Sequence, residues 1–330
     1  MLIGKFKTNQ PFLFAVLLLI AVFLWIDAFL TFNSVSLIEE NAAPLYIWIA
    51  VFFNEYRFWS VLLSFIFMII QAIMFNRVIA GRNLVDLNSQ LPALFYIVLM
   101  SNNFSLMGLH PIWFANFFLI IALDKIFDVF SEEEVYVEIF NVGFLISLAS
   151  LFYIPALWFI LLLISALIIY YLVNIRSILA SIIGFVTPYM FVALYYYWFD
   201  KLEERSAELL NFRSLLSDFS LSFTPLAWAS IGVIGIIALV AIFRIYIGGL
   251  SDKPVRIRKR YHVLLAYFII AAITVPFAGE MMHVHQGLLM LPLAAIMAGF
   301  FQESKKTFWN ELFFTLLIFL IIVGKLTRLE

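Results

Sequence analysis

The chain has 330 residues, 65% of them hydrophobic and only 12% charged, with a net charge of −1 and no cysteine. Soluble domains carry about 25% charged residues, so this composition, with 38 Phe, excludes a water-soluble globule and makes lipid the solvent. The missing cysteine excludes disulfides and thiolate metal sites, and the near-zero charge points to no class of partner.

A helix needs about 20 apolar residues to cross a bilayer. Backbone in lipid must satisfy its own hydrogen bonds, as helices or as a closed barrel. The apolar runs here are continuous and do not alternate with period two, which rules against a barrel. The expected fold class is therefore all-α, a polytopic transmembrane helix bundle forming one integral membrane domain over 1–330.

The first run, 11–32, "PFLFAVLLLIAVFLWIDAFLTF", is interrupted only by Asp27. It is long for a secretory signal and no small-residue cleavage site follows, so it reads as a retained span. "APLYIWIAVFF", 43–53, is too short to cross and is flanked by Glu39, Glu40, Glu55 and Arg57. It reads as an interfacial or re-entrant helix. Spans follow at 58–76, 90–106 and 109–124, the last two joined by "SNNFSLMGLHP". Then come 137–154, 156–175 (opened by Pro155) and 178–199. The polar stretch 200–220 has a period near 3.6 and reads as an amphipathic helix on the outer interface. The last spans are 223–248, 262–278, 286–301 and 307–324. The count is eleven, within a range of ten to twelve, with 90–124 the least defined region.

Orientation follows from the Lys and Arg residues, which favour cytoplasmic loops. With the N-terminus cytoplasmic, the inner segments hold 14 of the 20 cations: Lys5, Lys7, Arg77, Arg82, Lys125, Arg176, Arg244, Lys253, Arg256, Arg258, Lys259, Arg260, Lys305 and Lys306. "KPVRIRKR", 253–260, is the strongest marker and a contact for anionic lipid heads. This topology gathers Asp27, Glu39, Glu40, Arg57, Asn102, Asn103, His110, Glu280, His283 and His285 on the outer face.

Each polar group has a plain reading. Glu39 and Glu40 read first as solvated loop residues, and Glu132, Glu133, Glu134 and Glu138 as a cytoplasmic solvated face. Asp27 differs, because it lies five residues before the end of its apolar run. A carboxylate inside a membrane helix costs about 2.5–3.5 kcal/mol near the centre and less near an end, so Asp27 is either functional or an interfacial anchor. In "GEMMHVHQ", 279–286, Glu280, His283 and His285 supply enough ligands for zinc, but the spacing matches no standard metal motif. The stretch is either an aqueous turn or a pair of imidazoles bonding a phosphate, a substrate hydroxyl or a carboxylate. No phosphate-cradling glycine loop, G-x-S-x-G or H-E-x-x-H occurs, nothing points to a nucleotide, a haem or nucleic acid, and no cofactor is expected, a divalent metal at "GEMMHVHQ" being the least favoured reading.

The layout resembles the GT-C superfamily of membrane glycosyltransferases, which use polyprenyl-phosphate-linked sugars. "WIDAF" with Asp27, followed by "LIEENAAPLYIWIAVFF", is similar to that superfamily's first outer loop. "RIRKRYHVLLAYF" followed by "GEMMHVHQGLLMLPLAAIMAGFF" looks like its C-terminal spans, and "SLMGLHPIWFANFFLIIALDKIF", 105–127, like its third and fourth. The chain as a whole also resembles an uncharacterised family of bacterial inner-membrane proteins. The GT-C resemblance implies Asp27 as general base, with Glu39 and Glu40 standing where a paired acid is expected. Arg57, His110, Glu280, His283 and His285 would contact the substrate, with cationic groups steadying the departing lipid phosphate.

The expected function is thus sugar transfer from a polyprenyl-phosphate carrier to an envelope acceptor at the outer face of a bacterial inner membrane, or a degenerate relative of such an enzyme. Two alternatives stay open: a non-catalytic membrane subunit of an envelope assembly or secretion machine, and a transporter of lipids or lipid-linked glycans. Expected partners are membrane lipid, a lipid-linked sugar and other membrane proteins.

Overall fold

The computed structural model describes residues 2–8, 11–31, 43–129, 135–201, 225–304 and 307–326. Its regular elements are all helical, with no strand among the described residues. In chain order they are α1 (Leu2–Phe6), α2 (Pro11–Thr31), α3 (Tyr46–Glu55), α4 (Arg57–Gly81), α5 (Leu91–Met100) and α6 (Pro111–Asp128). Next come α7 (Val135–Phe152), a 3-10 segment Ile154–Phe159 leading into α8 (Ile160–Tyr170), and α9 (Ile175–Trp198). Beyond residue 224 follow α10 (Pro225–Arg244) with a π-turn at Ile245–Gly249, α11 (Val255–Ile273), a 3-10 segment Val275–Met281, α12 (Met282–Glu303) and α13 (Thr307–Leu326).

Six of these, α2, α4, α7, α9, α12 and α13, are long and apolar enough to cross a membrane. Together with the composition, they make the chain a multi-pass membrane protein. Local chemistry sets the helix limits. Pro92 and Pro111 sit in the first turns of α5 and α6, where the missing N–H costs nothing. Asn174 caps α9 by accepting from the Ser177 N–H at 2.8 Å. Tyr171 ends α8 in the left-handed region, φ 61°.

Three boundaries differ from the expectation. The helix expected over 90–106 stops at Met100. The basic "RIRKR" lies on the first turns of α11 and not in a loop, since Lys and Arg are good helix formers. "GEMMHVHQ" is no open turn: it passes from a 3-10 segment into α12. The amphipathic helix expected at 200–220 lies almost entirely outside the described residues.

α12 is the central post. Its apolar window is 83% buried, against 22% for α9, so α9 sits at the rim and turns Ile178, Ile182, Phe191 and Leu194 outward. The α7–α9 contact depends on two glycines. A Cβ on Gly143 would stand 2.6 Å from the Ser181 carbonyl oxygen, and one on Gly184 would overlap the Phe140 carbonyl. Backbones this close are a membrane packing device, because lipid supplies no hydrophobic drive between helices.

Candidate functional site

The polar groups gather at the two ends of the bundle. One end centres on the turn between α5 and α6. α5 has 10 residues and α6 has 18, about 15 and 27 Å long at 1.5 Å per residue. α5 starts near the Arg82 end and the longer α6 returns to it, its last turns holding Asp124 and Asp128 against Arg82, so the turn 101–110 climbs inside the bundle instead of leaving it. Irregular backbone at such depth is tolerated only where protein covers it and satisfies its polar groups.

That is what surrounds this turn. The Trp25 indole N–H of α2 donates to Ser101 Oγ at 3.0 Å. The Tyr46 hydroxyl of α3 donates to the Leu109 carbonyl at 3.1 Å, and the Leu109 N–H donates to Ser60 Oγ of α4 at 2.9 Å. Trp113 Nε1 is shared between the Leu106 and Gly108 carbonyls. Asn103 Nδ2 donates to the His283 carbonyl of α12 at 2.6 Å, while Asn103 Oδ1 accepts from the Ser105 N–H. Among the described residues, two buried atoms of the turn have no hydrogen-bond partner, Asn102 Oδ1 and His110 Nε2, and Asn116 Oδ1, six residues further on in α6, has none either.

Asp27 stands beside this turn, and it is paired. Lys325 Nζ of α13 lies 3.2 Å from Asp27 Oδ1, both side chains about nine-tenths buried. The same ammonium donates to the Leu24 carbonyl and lies 3.6 Å from Met107 Sδ. The pair closes the first long helix against the last, over the turn's Met107. The carboxylate's charge is thereby compensated, and one of its oxygens is engaged.

The other site candidates fall in different places. His110 is buried at the N-terminus of α6, with His283 close enough for their charges to interact. His283 is half-buried on the first turn of α12. His285, two residues on, points elsewhere, as i and i+2 must on a helix. It is fully buried: Tyr153 Oη lies 2.8 Å from Nδ1, with Thr274 Oγ1 at 3.2 Å and the Ala271 carbonyl at 3.1 Å from Nε2. It fastens α11 and the α7–α8 junction to α12, inside the protein and away from any aqueous turn. Arg57 is exposed at the start of α4, and Glu280 lies on the 3-10 segment before α12. Glu39 and Glu40 lie outside the described residues. No cluster of three His or carboxylate residues suited to a metal occurs among the described residues.

Sequence reasoning missed the Arg82 end. Arg82 forks onto Asp124, at 2.7 Å, and Asp128. Burial works against its charge, but the two aspartates outweigh it and raise its pKa. Arg260 donates to the carbonyls of Arg82, at 2.7 Å, and Phe127, at 3.3 Å; the Tyr261 hydroxyl donates to the Leu84 carbonyl at 2.9 Å. Glu138 is buried and bonded to Lys125 at 3.1 Å, not solvated. The available signal was the Asp124/Asp128 spacing of four, which puts both carboxylates on one helix face.

No curated protein and no solved structure matches the chain. Residues 50–329 match the model of DUF6427, a family of unknown function, and the chain belongs to that family.

Proposed function

We propose that the chain handles a lipid-linked sugar at the outer face of a bacterial inner membrane, through eleven crossings arranged as in GT-C enzymes, with the N-terminus cytoplasmic. The observation that carries this reading is the convergence of α2, α3, α4, α12 and α13 on one sunken turn that holds buried polar atoms without partners among the described residues. Among the described residues, eleven helical segments besides α1 and α3 support the count, the six long apolar ones and five others. The docked helix α3, following α2 directly, supports the GT-C layout.

In this reading the acceptor oxygen attacks the anomeric carbon of the sugar. The bond from that carbon to the phosphate oxygen breaks, the polyprenyl phosphate leaves as an anion, and a carboxylate takes the acceptor's proton. Asp27 is held by Lys325, so the base falls to Glu39 or Glu40, which lie between α2 and α3 in sequence. His110 and Asn102 meet sugar hydroxyls. His283 and Arg57 face the phosphate.

The test is envelope glycan composition in cells whose only copy carries Glu39→Gln with Glu40→Gln, or His110→Asn. Loss of a glycan with normal protein level supports the reading. Wild-type glycans in both variants would favour the second reading, a non-catalytic subunit of an envelope assembly. That reading is supported by Asp27 and His285 both being engaged in packing.

A further inference from the structure

A groove of about 200 Å³ opens between α2, α4 and α5 near the Arg82 end. Its inner wall is apolar, with Leu17 from α2 and Ile69 from α4, and Phe14 and Ile73, 40% and 46% exposed, flank its open side. At its mouth stand Asn76, Arg77 and Gln90. Asn76 is committed to the backbone of Ser89 and Ala93, each at 3.2 Å. Arg77 is exposed and has no ion-pair partner among the described residues. No carboxylate lines the groove.

We propose that this groove seats an anionic phospholipid, one acyl chain lying against Leu17 and Ile69 and the phosphate meeting the Arg77 guanidinium. The inference rests on the chain's lying in a bilayer and not on the glycan reading. Charge complementarity selects the occupant. The guanidinium fork matches two phosphate oxygens, and basic recesses between membrane helices are where anionic heads bind. Depth fits as well: Ile69 to Arg77 spans eight residues of helix, about 12 Å, so the cation stands at the level of the head while the apolar wall runs down the acyl region. The Arg82 fork makes a contrast, because that arginine is consumed by two aspartates.

The test uses the full chain in nanodiscs of phosphatidylcholine, with and without phosphatidylglycerol, released for native mass spectrometry. Wild type is expected to retain phosphatidylglycerol over phosphatidylcholine. Arg77→Gln should lower that retention roughly fivefold, the worth of one basic side chain at a lipid surface. Arg244→Gln, an exposed cation of the same end, should leave it unchanged. Ile73→Trp, which fills the groove from its open side, should lower retention without touching the charge. Equal retention of both lipids would overturn the proposal, as would equal losses in the Arg77 and Arg244 variants. Displacement by inorganic phosphate alone would also overturn it, marking a free-anion site.

Discussion

Lys325 and Asp27, 298 positions apart in sequence, lie 3.2 Å from each other, buried where the last helix meets the first long one. Removing one member of a buried pair strands the other charge, at a cost of about 3–5 kcal/mol. Asp27→Asn and Lys325→Met should each lower the melting midpoint of the purified protein in detergent by many degrees. Midpoints near wild type in both would mean the pair contributes nothing.

His285 makes a second buried connection. His285→Ala removes the ring's bonds to the Tyr153 hydroxyl, the Thr274 hydroxyl and the Ala271 carbonyl, at about 0.5–1.5 kcal/mol for each bond lost, although Thr274 Oγ1 still donates to the Ala271 carbonyl. His283→Ala removes a half-buried ring and keeps the backbone carbonyl that Asn103 uses. The first variant should melt far below wild type and the second close to it. Equal effects would contradict the burial of His285.

Glycine substitutions offer a contrast within one protein. Gly184→Ala drives a methyl into the Phe140 carbonyl, and overpacking of this kind costs about 1–3 kcal/mol. Gly232→Ala and Gly235→Ala on α10 meet nothing within 4 Å and gain about 1 kcal/mol of helix propensity each. Melting curves should separate the variants in that order; a tolerated Gly184→Ala would show that α7 and α9 sit further apart.

Reporter fusions test the orientation. Fusions at residues 80, 130 and 255 should report the cytoplasm, and those at 210 and 282 the outside. A cytoplasmic result at 282 would place α12's first turn on the wrong side for any shared outer site.

Much of the helix layout was legible, because helix in lipid needs only an unbroken apolar run, and runs such as 11–32 and 307–324 announce themselves. The turn itself was legible in "SNNFSLMGLHP", but its depth was not. Residues 101–106 counted with the span before them, since Phe104 and Leu106 are apolar, and only the surrounding donors Trp25, Tyr46 and Trp113 show why the backbone can leave the helix at Met100. Asp27 stood out as a costly carboxylate, but its partner lay in the final helix, where Lys325 read as an ordinary outer-end cation. The two histidines of "GEMMHVHQ" share one side only if the backbone is extended, and the sequence leaves that open. A helix beginning at Met282 separates them, leaving His285 in the core and His283 at the turn.

The double variant Asp27→Asn with Lys325→Met tests most directly whether Asp27 is a structural partner or a chemical one. It should be assayed for melting midpoint and for envelope glycan composition together. Removing both charges should restore most of the stability lost in either single variant and leave the glycans unchanged. Restored stability with a missing glycan would contradict it, and would return the proton transfer to Asp27.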